Sequence, residues 1–153
     1  MARKDEKGQR FEFLVGRIDD AIKNEYYVEA MAITYALMEE RSYTLLDRLN
    51  IHYTGKDKLY HCIDKLKNAI NDKKITVTPK KGTTDTLIDF LATEFISTNL
   101  LDNIQNWRDR RNDVIHDLAK QTIDYDTLKQ PSEDGRKNFA LYSAVIMKVK
   151  KML

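Results

Sequence analysis

The chain has 153 residues, 42% apolar and 33% charged, with 26 Lys and Arg against 24 Asp and Glu for a formal charge of +2. That length supports one domain with a sizeable core and not two comfortable ones, and so slight a positive charge excludes indiscriminate coating of duplex nucleic acid. Five Gly and two Pro are too few for a turn-rich β architecture, so helices are favoured before any pattern is read.

A lone cysteine, Cys62, excludes an intrachain disulfide and suits a reducing compartment. No apolar run approaches the ~18 residues of a membrane span. The opening Met-Ala-Arg-Lys-Asp-Glu-Lys lacks the apolar stretch of a secretory signal. Cytoplasmic localisation and no membrane partner are expected. Residues 1–8 are allowed as a disordered lead-in.

Helical periodicity first runs from about Gln9 to Lys23, with Phe11, Leu14, Val15, Ile18 and Ile22 on one stripe. A long second segment, about Glu25 to Leu49, has so broad an apolar face that it reads as the central helix. A third opens near Asp57 and repeats Leu59, Cys62, Ile63, Leu66 and Ile70 until Asn71-Asp72-Lys73-Lys74 stops it. Ile75 to Asp85 is the clearest loop, with room for a small β-ribbon. Helix resumes behind Thr84-Asp85 as N-cap residues and continues to Leu118, with Ser97-Thr98-Asn99 able to bend or restart it. A polar connection spans Gln121 to Pro131, and Ser132-Glu133-Asp134 reads as the start of the last helix, which ends near Leu153. The expected fold is all-α, one bundle of about five helices.

The fourth periodic segment holds an anomaly. Its apolar stripe advances by four and three residues through Leu100, Ile104, Trp107, position 111, Val114 and Leu118, and position 111 is an arginine. A charge on an apolar seam is costly unless it is paired or reaches solvent. Arg111 is therefore a functional candidate, or an arginine that snorkels past Trp107 or stacks on it. His116 lies about 140° round the helix from Arg111, with Asn112 between them. The two long side chains flank a groove edge, and a two-fold partner copy can close such a site.

Arg111-Asn112, three residues and His116, near the end of a helical domain, closely resemble the signature of the HEPN superfamily: arginine, then a polar residue such as asparagine, then histidine within a few positions. The resemblance covers nearly the whole chain and implies a metal-independent endoribonuclease acting as a homodimer. Proteins of this family serve as toxins, abortive-infection and antiviral defence effectors, and nuclease parts of some CRISPR systems. The implied chemistry is attack of an RNA 2′-hydroxyl on the adjacent phosphate. Arg111, Asn112 and His116 become the catalytic candidates: histidine moves the proton, arginine offers fixed donors to the phosphate, and asparagine positions them. In the branch paired with nucleotidyltransferase antitoxins the histidine is followed, one residue on, by a modified tyrosine. Here Asp117 and Leu118 follow instead, and Tyr125 is no replacement by motif. A cognate antitoxin or defence-system partner is left open.

Arg108 and Arg110 add local positive charge for RNA, or else serve as ordinary surface partners of carboxylates. Lys80 and Lys81 on the long loop either grip phosphate or simply solubilise it. Glu40 lies at helical spacing from Ile33, Leu37 and Thr44, so it can turn inward and hold Arg111 extended. His52, His61 and Cys62 complete no familiar ligand spacing, so neither metal nor cofactor is expected. The rival to the nuclease is an inactive helical module that binds RNA or regulates a partner protein.

Overall fold

In the computed structural model the described residues are 6–120 and 123–153. They form α1 (Glu6–Lys23), α2 (Tyr27–Arg48), α3 (Leu59–Asn71), α4 (Thr84–Leu91), α5 (Leu100–Lys120) and α6 (Lys129–Met152), with a π-helical turn at Ala92–Ser97 and a 3-10 turn at Tyr125–Leu128. No strand occurs among the described residues, so the ribbon allowed between Ile75 and Asp85 does not form. The disordered lead-in over 1–8 lies partly outside the described residues, and Glu6, Lys7 and Gly8 belong to α1.

Helix α2 is central, packing on α6, α1 and α3, while α5 runs along α6. The buried side chains form one continuous cluster in which Met31, Met38 and Leu45 of α2 meet Ile63 and Leu66 of α3 and Phe139, Tyr142 and Ile146 of α6. Polar groups inside it are satisfied locally. Ser42 Oγ donates to the Met38 carbonyl at 2.8 Å and lies 2.7 Å from the Tyr142 hydroxyl, which ties α2 to α6. Such pairing removes the penalty of burying a hydroxyl.

Two boundaries differ from the expectation and one open alternative is decided, each for a local reason. The fourth periodic segment restarts at Ser97-Thr98-Asn99 and is two helices, which makes six helices among the described residues. Thr98 Oγ1 accepts from the Leu100 amide at 3.3 Å, and Asn99 takes a left-handed φ of 61° that ends the π turn. The N-cap of α4 is Thr83, whose Oγ1 accepts from the Thr86 amide at 3.3 Å, one residue before Thr84-Asp85. Helix α6 begins at Lys129, not Ser132, because Pro131 sits in its first turn, where a missing N–H costs nothing. Part of the expected Gln121–Pro131 connection, residues 121 and 122, lies outside the described residues.

The long loop is pinned rather than free. Ile75 is buried, Thr84 Oγ1 donates to the Val77 carbonyl at 3.0 Å, and the Lys80 amide donates to the Met152 carbonyl at 2.7 Å. Among the described residues no helix is long and apolar enough to cross a membrane.

Candidate active site on helix α5

Helix α5 is positioned by its buried half. Leu100, Leu101, Ile104 and Trp107 are all buried. The Trp107 indole N–H donates to the Pro131 carbonyl at 2.8 Å. A Cβ on Gly135 of α6 would stand 2.5 Å from the Trp107 ring, so only glycine lets the two helices approach this closely. Beyond Trp107 the stripe continues at the bundle surface, and Val114 and Leu118 pack against the core only in part.

Arg111 occupies that seam and is half-buried. Its guanidinium carbon lies 4.5 Å over the Tyr35 ring of α2, and Nη1 donates to Asn112 Oδ1 at 3.0 Å. Nε is buried with no hydrogen-bond partner. Burial lowers the Arg111 pKa from its usual value, and the neighbouring Arg108 adds to that, against the pull of Tyr35 and Glu39. The arginine thus rests on an aromatic face, not on Trp107, and Asn112 Oδ1 is its hydrogen-bond partner.

Burial first, then the charge of Glu39, raises the pKa of Tyr35. Glu39 Oε2 accepts from the Leu59 amide at the start of α3, at 3.2 Å. Glu40 does not take the supporting role expected of it. It points the other way, is exposed, and pairs with Lys7 at 3.0 Å. The carboxylate on the Arg111 side is Glu39, one residue earlier, which a pattern of apolar spacings could not single out.

One turn before Arg111 the arrangement repeats. Arg108 lies 4.7 Å over the Tyr60 ring of α3, its Nη1 donates to Asp109 at 2.7 Å, and its Nε is buried without a partner. Tyr60 in turn packs on His61, with ring centroids 3.8 Å apart. His61 Nδ1 accepts from the Lys58 amide at 3.0 Å and so caps α3. Its neighbour Cys62 is buried in the core, where burial pushes the thiol up to about 11.

His116 is exposed and makes no hydrogen bond or ion pair with a described residue. Within one chain it does not meet Arg111, from which it stands ~7.5 Å along the helix and about 140° round it. Arg110 faces α6, 3.7 Å from Asp134, and does not join Arg108 and Arg111. Lys80 and Lys81 are exposed on a loop tied to the C-terminal end of α6. Trp107 meets α6 near Pro131, at the other end of that helix, roughly 30 Å away at 1.5 Å per residue. Those lysines lie outside the cluster. Tyr125 has an unforeseen role: its hydroxyl accepts from the Tyr27 amide at 2.9 Å, and its ring stacks on Tyr27 at 5.5 Å, capping α2 from across the chain.

No known protein family, curated protein or solved structure matches the chain.

Proposed function

We propose that this protein is a metal-independent endoribonuclease of the HEPN type, a toxin or phage-defence effector completed by a two-fold partner copy. The observation that carries the reading is Arg111: a seam arginine laid on Tyr35, oriented by Asn112, with a buried donor unspent and no ion pair to a described residue. An unmet donor in a half-buried position costs free energy that a phosphate oxygen would recover. Arg108, held the same way on Tyr60, extends the cationic face by one turn.

In the proposed reaction the RNA 2′-oxygen bonds to the adjacent phosphorus as the bond from phosphorus to O5′ breaks. The 2′-hydroxyl proton leaves to a base and O5′ gains one from an acid, giving a 2′,3′-cyclic phosphate and a 5′-hydroxyl. His116 handles a proton, because an imidazole offers both an accepting and a donating ring nitrogen. Arg111 donates to the non-bridging oxygens as their charge builds. The separation of Arg111 and His116 within one chain supports a site shared between two copies, since an isologous interface brings the same residues up twice.

The same separation also favours a second reading, an inactive helical module that binds RNA or regulates a partner protein. An RNA carrying one 2′-deoxyribose at an established cleavage position separates the two. The nuclease reading expects cutting at that position to stop and cyclic-phosphate ends to appear at unmodified ones. Undiminished cutting at the deoxyribose would remove the 2′-hydroxyl mechanism, and no cutting of any RNA would leave the binding module.

A further inference from the structure

On the side of α2 away from Tyr35, helices α1, α2 and α6 enclose a groove of about 920 Å³. Helical geometry sets the two sides apart: Arg41 lies about 200° round α2 from Glu39. Five cations line the groove, Lys7 and Arg10 on α1, Arg41 and Arg48 on α2, and Lys150 on α6, against the two acids Glu12 and Glu40. Lys7 and Glu40 satisfy each other at 3.0 Å. The groove holds an excess of three positive charges, so it is more positive than the whole chain, whose formal charge is +2.

Gathered like charges repel and weaken a fold until something anionic meets them. Burial and the Arg48 charge both lower the Arg41 pKa, with Glu40 acting against them. Arg48 keeps a buried Nη1 with no hydrogen-bond partner, and such a donor gains from a carboxylate. Arg10 and Lys150 are exposed, and neither forms an ion pair with a described residue. These cations are spread over all three walls rather than converging on one point. Arg41 and Arg48 alone stand roughly 10 Å apart along α2. A small anion reaches one of them; a row of carboxylates reaches several.

Between the cations the groove is apolar. Leu14 and Leu37 line it, and Met147 lies exposed within it, with a flexible thioether that adapts to a partner's surface. From Leu37 to Arg48 the α2 wall runs about 16 Å, three turns of a helix. A partner with one apolar stripe flanked by carboxylates satisfies both parts, in the helix-in-groove mode of recognition. Single-stranded RNA suits the groove less well. Its bases need an open ring to stack on, and Phe11 is taken by Arg41, 3.7 Å over its ring, and packs on Phe139.

We propose that this groove docks an acidic amphipathic helix of a partner protein, its apolar stripe on Leu14, Leu37 and Met147 and its carboxylates on Arg10, Arg41, Arg48 and Lys150. The site is separate from the α5 face and does not depend on the nuclease reading. The test titrates the full chain with a helical peptide of about four turns that carries leucines on one face and glutamates beside them. The same residues in scrambled order and an oligouridylate serve as the comparisons, followed by amide chemical shifts and heat. The proposal expects saturable binding of the amphipathic peptide, with shifts centred on Leu14, Leu37 and Met147, and binding of the scrambled peptide at least about tenfold weaker. Arg10→Glu combined with Lys150→Glu changes two exposed side chains, and should weaken the amphipathic peptide at least about tenfold with unchanged helical circular dichroism. Absence of saturable peptide binding, equal binding of the scrambled peptide, or shifts centred on α5 would each overturn it. So would undiminished binding by the double variant, or oligouridylate entering the groove in preference to the peptide.

Discussion

The guanidinium of Arg111 lies 4.5 Å over the ring of Tyr35, whose pKa is raised by burial and by the charge of Glu39. Glu39 in turn accepts the Leu59 amide at the start of α3, while Arg111 itself is held by the Tyr35 ring of α2 and by Asn112 Oδ1.

That ring contact makes Tyr35 a positioning residue with a graded response. Tyr35→Phe keeps the aromatic face and should retain most RNA cleavage. Tyr35→Leu removes a cation–π contact worth ~0.5–2 kcal/mol and should lower kcat by several-fold to thirtyfold with little change in KM. Steady-state kinetics on both variants check this; equal losses in the two would show that the ring does not hold Arg111.

The α5–α6 contact predicts a stability effect at Gly135. A Cβ there meets the Trp107 ring at 2.5 Å, and overpacking of this kind typically costs ~1–3 kcal/mol. Gly135→Ala should lower the urea midpoint accordingly, even though alanine is the better helix former. An unchanged or raised midpoint would contradict the close approach.

Tyr125→Phe should destabilise the chain by ~0.5–2 kcal/mol, the usual worth of a lost N-cap acceptor. The stacked ring remains in that variant, so the loss reports the hydroxyl bonded to the Tyr27 amide. Thermal or chemical denaturation measures it.

Much of this was legible within single helices and little of it between them. The seam through Leu100, Ile104, Trp107 and Arg111 follows from spacing along one element, and so does Asn112 beside Arg111. Glu39 rather than Glu40, Tyr125 on the start of α2, and His61 on the start of α3 depend on how different elements meet, which local periodicity does not encode. Lys80 and Lys81 matched the required charge, but the loop fastens to the far end of α6.

Alkaline pH should destabilise the fold. Burial raises Cys62 to about 11 and also raises Tyr142, whose bond with Ser42 acts in the opposite direction. An unfolded cysteine ionises near ~8.5 and an unfolded tyrosine near ~10. Both groups are neutral in both states at low pH, so native stability is intact there. From about pH 8.5 upward the unfolded chain ionises first, and stability falls until the folded thiol titrates. Urea midpoints should therefore drop between pH 8 and pH 10.5, and Cys62→Val should lessen the drop. A flat profile would show that the thiol is not protected by burial.

The central claim rests on Arg111 and His116 acting on RNA without a metal. The direct measurement is the rate of RNA cleavage in EDTA for the wild-type chain, Arg111→Ala and His116→Ala, each checked for folding and dimer formation. The account predicts undiminished wild-type cleavage in EDTA and a ~10²–10⁴-fold loss in His116→Ala. Arg111→Ala should be comparably impaired, and Arg111→Lys poorly active because it keeps the charge without the planar fork. Alanine variants that cut RNA as fast as the wild type, or wild-type cleavage abolished by the chelator, would contradict it.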